Sequence, residues 1–257
     1  MVIDCHMHVR AGKDGLLDTV YSDATIEAGD LLGIDLFCVS DLQLTGPLTY
    51  AEFHAANERV KQAIARHPKR YRGYCYVNPS DPQALDEIRA RVQGDGFIGI
   101  KLYNQHFIDS DVVAPVLELA TQWQIPVLMH GGKPNDPVTQ KLQPNISTAL
   151  HFARAAERFP KAILIEAHIG GGGDWEWALK HLREAPSVFL DTSGSVIDEW
   201  MVDKAVAALG IERVLFATDM TMEGGVGKIL DADLSDEHRA RVLGGNFQSI
   251  LNRRAVP

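Results

Sequence analysis

No apolar run in this chain approaches the ~18 consecutive residues that suggest a membrane-spanning helix. The chain also opens directly into a strand-like segment. It shows neither the basic stretch nor the long apolar core of a secretory leader, so the expected location is the cytoplasm. Cysteine is scarce. Cys5, Cys38 and Cys75 each sit in an apolar strand-like run, and no C-x-x-C pair occurs. Neither a redox dithiol motif nor a thiolate zinc site is signalled, and buried reduced thiols are expected. Positive charge is in deficit. A formal net charge of -9 argues against nucleic acid and anionic membranes as partners. A small-molecule substrate stays compatible, because the local charge of a pocket decides that. No linker, low-complexity tract or composition shift divides the chain, so one domain over residues 1–257 is expected. A homodimer is carried as the working oligomeric state.

What is present is an alternation. With 46% hydrophobic and 23% charged residues the chain has ordinary globular composition. Near-continuous apolar runs at residues 2–8, 35–40, 72–79, 97–103, 126–130, 162–168, 187–193 and 213–219 read as strands. Such runs are expected of a parallel sheet covered on both faces. Helical patterns separate them. Between Thr49 and His67, Phe53, Ala56, Val60, Ala63 and Ile64 form one stripe, and Thr49 with Glu52 fits a capping box. Asp81 with Pro82 reads as a helix start, as do Ser147 and Asp174, and Gly33 and Gly210 read as stops. Eight strand–helix alternations in a chain of this length predict a single-domain (β/α)₈ TIM barrel. A doubly wound sheet is disfavoured because no G-x-G-x-x-G follows the first strand.

In a barrel, reactive groups sit at the carboxyl ends of strands. The first strand, VIDCHMH, carries Asp4, His6 and His8 at alternate positions, so an unbroken strand puts all three on one face. The fourth strand carries Lys101, the fifth ends in His130, the sixth in His168 and the eighth in Asp219. Three histidine nitrogens and a carboxylate suit Zn²⁺ or another first-row divalent ion, with a coordination position open to water or substrate. Arg10 and Lys133, two and three residues past strand-end histidines, and Lys101 are candidate partners for a substrate carboxylate. Tyr103, Asn104 and His106 follow the fourth strand, where loops set specificity. The run Gly170–Gly173 offers either an anion site at a helix start or a tight turn. EGGVGKI superficially resembles a phosphate loop but lacks its first glycine, at Met222, and its last hydroxyl, at Ile229.

The segments DCHMH, VLMHGG, EAHIGGGG, LFATD and GGNFQSIL resemble, in order, the signature segments of the amidohydrolase-related family. That family includes aminocarboxymuconate-semialdehyde decarboxylase, resorcylate-type decarboxylases and lactone- or amide-cleaving hydrolases. It belongs to the amidohydrolase superfamily of metal-dependent barrels. The resemblance implies that His6, His8, His130 and Asp219 are metal ligands and that Asp219 also shuttles a proton. It implies that His168 stays off the metal in single-ion members and acts as a catalytic base or polarises the substrate carbonyl. In two-ion members the same histidine is a ligand. Lys101 keeps three readings: a carboxylated bridge between two ions, a cation for an acidic substrate group, or a structural partner. Asn246 matches a late asparagine with an implied structural role. One departure stands out: Met220 and Thr221 follow Asp219, where many relatives carry Trp or Pro.

The resulting expectation is a metal-dependent hydrolase. Water activated on one Zn²⁺, with Mn²⁺ as the alternative ion, attacks an amide, ester or lactone of a small organic substrate. The alternative is a lyase that uses the same centre for non-hydrolytic decarboxylation of an unsaturated or aromatic acid. A catalytically silent binding barrel is the third reading, and it would need a defective set of strand-end residues.

Overall fold

The computed structural model describes residues 1–42, 48–134, 136–169 and 175–257. Eight strands run in chain order: β1 (Ile3–Val9), β2 (Leu36–Asp41), β3 (Tyr71–Tyr76), β4 (Gly99–Leu102), β5 (Pro126–Met129), β6 (Ile163–Glu166), β7 (Val188–Asp191) and β8 (Val214–Leu215). Each pairs in parallel with the next, in the order β1 to β8. The Cys5 amide donates to the Phe216 carbonyl and the Asp219 amide to the His6 carbonyl, joining the continuation of β8 to β1. The chain is a (β/α)₈ barrel, as the alternation predicts.

The helices are α1 (Thr19–Leu32), α2 (Tyr50–Arg66), α3 (Ala84–Arg89), α4 (Ala114–Trp123), α5 (Pro137–Leu142), α6 (Ala149–Arg158), α7 (Trp175–Leu182), α8 (Met201–Leu209), α9 (Met222–Asp231), α10 (Asp236–Ala240) and α11 (Asn246–Leu251). Among the described residues, no helix is long and apolar enough to cross a membrane. The Thr49–Glu52 capping box forms as expected, and Gly33 closes α1 in the left-handed conformation that glycine favours. Two starts differ from expectation. α6 begins at Thr148, because the Ser147 hydroxyl is already taken by the Ile108 amide. α3 begins at Ala84, because Asp81 accepts from the Gln83 amide and holds a turn there. The segment EGGVGKI lies in α9 despite its glycines. The run Gly170–Gly173 and the Asp174 cap lie outside the described residues.

The buried apolar residues form two clusters. The larger, with Phe37, Val60, Phe97, Leu117 and Phe152, lies between strands and helices. The smaller fills the barrel: Ile3, Cys5, Leu36, Cys38, Tyr74, Leu128, Ile165, Phe189 and Leu215, with Phe247 and Ile250 of α11 packed in. All three cysteines are buried and free. Asn246 donates to the carbonyls of Ile211 and Val214, which fastens α11 to the chain ahead of β8.

β1 departs from simple alternation. Asp4 pairs opposite Phe37 but Met7 opposite Val39, so three steps along β1 match two along β2. This β-bulge shifts the side-chain parity between Asp4 and Met7. Cys5 belongs to the barrel interior, whereas Met7 and Val9 belong to the outer cluster. His6 and His8 reach the mouth, and Asp4 does not share their face. Its carboxylate instead accepts from the Thr218 hydroxyl, the Thr218 amide and the His6 amide. The expectation of one common face fails because a one-residue slip reverses every later side chain.

Candidate metal centre

The barrel brings together residues far apart in sequence. His6 and His8 come from β1. His130, His168 and Asp219 lie just past β5, β6 and the continuation of β8. His168 (φ 64°), Asp219 (φ 45°) and Met220 (φ 73°) adopt left-handed backbone conformations unusual for residues other than glycine. Each costs about 1–3 kcal/mol and persists only where the surroundings impose it. Gly194, also left-handed, lies beside His168, and a Cβ there would stand 3.2 Å from the His168 Cβ.

Hydrogen bonding orients the imidazoles. His6 Nδ1 lies 2.9 Å from Asp191 Oδ2. The ionised carboxylate only accepts, so Nδ1 donates and Nε2 keeps its lone pair. His8 Nδ1 lies 3.1 Å from both the carbonyl and the hydroxyl of Ser40, and its Nε2 points at Asp219. Ser193 Oγ donates to Asp191 Oδ1 at 2.6 Å and accepts from His168 Nδ1 at 3.0 Å, so the His168 lone pair is on Nε2. His130 Nε2 donates to Gln143 Oε1 at 3.0 Å, leaving Nδ1 bare.

These rings then face one another and Asp219. His8 Nε2 lies 2.9 Å from Asp219 Oδ1, and His130 Nδ1 lies 2.8 Å from His168 Nε2. His6 Nε2 is 3.7 Å from the same Asp219 oxygen. Protonating the imidazoles is disfavoured: burial lowers His8, takes His130 well below its ordinary range and brings His168 to about 4. Burial opposes ionising Asp219, but positive charge at His6 and the hydrogen bond from His8 outweigh it and hold the carboxyl below the usual range, so the centre favours a carboxylate beside positive charge. His6, His8 and Asp219 present ligand atoms within 4.8 Å of one another. Nitrogen and carboxylate donors at this spacing fit a divalent metal.

A second grouping, His6 with His168 and Asp191, meets the same spacing. It is a hydrogen-bonded cluster, because Asp191 already accepts from His6 Nδ1, the His168 amide, and the Ser193 amide and hydroxyl. Asp191 therefore orients His6, as carboxylates behind metal-binding histidines do. Lys228 of α9 donates to the carbonyls of Thr192 and Gly194 and holds the loop that carries Ser193. Asp191, Ser193, Gln143 and Lys228 were not singled out in the sequence. Asp191 was within reach of the same rule, since it is the polar end of the apolar run VFLD.

The remaining candidates scatter. Lys101 is fully buried on β4, with Nζ 2.7 Å from His6 Nε2, and burial lowers it to about 8. It reaches the same His6 nitrogen that faces Asp219, with Asp219 and Asp191 as its charged neighbours. Arg10 pairs with Asp18 at 3.0 Å and stacks on Tyr21, while its stem edges a cavity of about 260 Å³ at the mouth. Lys133 edges a neighbouring cavity of about 460 Å³. The Tyr103 ring packs 4.6 Å from that of His130. Trp175, buried at the start of α7, donates to Asp198, whereas Trp177 is exposed with Lys180 over its ring.

An eight-stranded parallel barrel with imidazole and carboxylate donors at its carboxyl mouth defines a metal-dependent (β/α)₈ enzyme. Within that class the chain belongs to the amidohydrolase family, whose pattern matches residues 3–248. It is 24% identical to γ-resorcylate decarboxylase of Polaromonas sp. strain JS666 over 249 residues, covering 77% of this chain and 76% of the relative. A dihydroxybenzoic acid decarboxylase from the same strain, solved with manganese and 2-nitroresorcinol, superposes with a TM-score of 0.77 at 17% identity, covering 98% and 96% of the two chains. 5-Carboxyvanillate decarboxylase of Sphingomonas paucimobilis gives 0.71 at 20% identity, covering 89% and 82%.

These relatives overturn the expectation of hydrolysis. The enzymes the chain resembles remove a carboxyl group, and manganese rather than zinc is the ion bound in the relative. The sequence motifs could not decide this, because they describe the metal's ligands, which hydrolytic and non-hydrolytic members share.

Proposed function

We propose that this chain is a metal-dependent, non-hydrolytic decarboxylase of a small hydroxylated aromatic or unsaturated carboxylic acid. The observation that carries the proposal is the likeness to γ-resorcylate decarboxylase across three quarters of both chains. The grouping of His6, His8 and Asp219 within 4.8 Å of one another supports it. His6 and His8 through Nε2, His130 through Nδ1, and Asp219 hold the ion, for which manganese is the first choice. When bound, the ion supplies positive charge that orients and polarises the substrate's oxygen atoms.

The chain's own groups do the rest. In decarboxylation the carbon–carboxyl bond breaks, its electron pair stays on the carbon, and that carbon takes up a proton as CO₂ leaves. Asp219 and His168 are the titratable groups placed to manage this proton. His168 is held with its bare Nε2 toward the mouth by Ser193 and, behind it, Asp191. The apolar wall of Val9, Leu42, Tyr103 and Met220 suits an aromatic or unsaturated body. Arg10 and Lys133 stand at the edges, where they would meet an outlying acidic group. Lys101, whose Nζ reaches His6 Nε2, stands where it would meet an acidic oxygen of the bound substrate.

The test is direct. Protein loaded with Mn²⁺ or Zn²⁺ is supplied with hydroxybenzoates and unsaturated acids, and CO₂ is measured beside hydrolysis of esters, lactones and amides. CO₂ release without hydrolysis is expected. Hydrolysis without CO₂ would overturn the proposal.

A further inference from the structure

The mouth opens on two lobes. One, of about 260 Å³, is bounded by His6, His8 and the apolar wall of Val9, Leu42, Tyr103 and Met220. The other, of about 460 Å³, sets the hydroxyls of Thr139, Ser195 and Thr221 among apolar Ile146, Ile169 and Val196. His130, His168 and Asp219 border both, so a molecule seated on these three has room in either direction.

The volumes and linings assign the occupants. A cavity of about 150 Å³ holds a benzene ring. The smaller lobe therefore seats one substituted ring, with its carboxylate toward His6, His8 and Asp219. A single-ring acid placed there leaves the larger lobe to water. That lobe's hydroxyl groups suit a chain of polar atoms. They come from three separate elements: Thr139 from α5, Ser195 from the loop after β7, and Thr221 from the start of α9.

We infer that the substrate is an extended acid: an aromatic or unsaturated head that loses the carboxyl group, carrying a polar, hydrogen-bonding arm of several atoms that lies in the larger lobe. This inference rests on the decarboxylase reading for the reaction, but the two-lobed recognition is a property of binding. One or two hydrogen bonds to the arm, at about 1 kcal/mol each, correspond to roughly tenfold tighter binding.

The experiment compares 2,6-dihydroxybenzoate with derivatives bearing a hydroxyethylcarboxamide arm at position 3 or 4. It uses the Mn²⁺-loaded full chain, with calorimetric affinity and CO₂ release as separate readouts. At least one extended acid is expected to bind tenfold or more tightly than the parent. Ser195→Trp, at an exposed position, fills the larger lobe and should erase that ratio. Thr139→Trp on α5 serves the same purpose if the first variant does not fold. Equal or weaker binding of every extended acid, while the parent releases CO₂, overturns the inference and leaves the reaction standing. Tighter binding of an extended acid with no CO₂ from either overturns the reaction and leaves the lobes standing. Binding of neither overturns both.

Discussion

Two polar clusters are buried in this molecule, and they are built on opposite principles. Beneath α2 and α3, Arg91 donates to Glu87 at 2.7 Å, Glu58 at 2.5 Å and Asp95 at 2.9 Å. Asn57 there accepts from the Tyr76 amide and donates to the Tyr76 carbonyl and to Glu87. Every donor meets an acceptor. At the barrel mouth, His8 Nε2 faces Asp219 at 2.9 Å and His130 Nδ1 faces His168 Nε2 at 2.8 Å, so imidazole and carboxylate ligand atoms gather there. Both clusters are buried and charged, so burial does not separate a structural network from a site. The type and spacing of the groups do: imidazole nitrogens and a carboxylate within 4.8 Å of one another at the mouth, against a guanidinium ringed by carboxylates under the helices. Glu166 on β6 is a third case: its carboxyl is buried without a hydrogen-bond partner, and burial raises it to about 8.

The contrast can be broken at several points. The largest effect is expected from a chelator, which should abolish turnover, with recovery on adding Mn²⁺ and an unchanged far-ultraviolet circular dichroism spectrum throughout. Next, Asp219→Asn should lower turnover by ~10³-fold, in the range of lost acid–base catalysis, together with bound-metal content. Full activity at full metal content would remove Asp219 from the centre. Asp191→Asn leaves the ligands in place but loosens His6, and a loss of about 10–100-fold in metal affinity is expected by equilibrium dialysis.

Arg91→Met tests the other cluster. It strands Glu87, and removing one partner of a buried pair costs about 3–5 kcal/mol of stability in denaturant unfolding. Turnover per folded molecule should stay unchanged. A matching loss of metal affinity would mean that the two clusters are coupled. Last comes Glu166, away from both clusters. The unfolded chain releases this proton near 4.5 and the folded chain near 8, so the folded state binds more protons between those values. Stability therefore declines as pH rises from 5 to 8. Glu166→Gln should flatten that part of the decline, measured as the Tm difference between the two pH values.

Much of the mouth was legible as one-dimensional pattern. His6, His8, His130, His168 and Asp219 each end an apolar run, and a parallel barrel gathers such ends by its topology. Asp191 ends a run too and was passed over, because it is the partner of a histidine rather than a member of the HxH pattern. Gln143 and Lys228 gave no signal, since both sit among helical residues and reach the mouth only because α5 and α9 fold over it. The hydrolytic expectation failed for a related reason: ligand motifs are shared across chemistries, and the walls that choose among them come from loops.

The sequence by itself determined the barrel and the identity of the groups at its rim. Strand and helix periodicities are local, and parallel connectivity leaves few ways to arrange eight of them. Only the tertiary structure decided the bulge in β1, which sends His6 and His8 inward and Asp4 away, and the hydrogen bonds that orient the imidazoles at the mouth. Those depend on partners such as Phe216, Ser40 and Asp191, dozens to hundreds of residues distant. The physical reason is range. Periodicity is a property of neighbouring residues, whereas register and hydrogen-bond direction are settled only when remote strands meet.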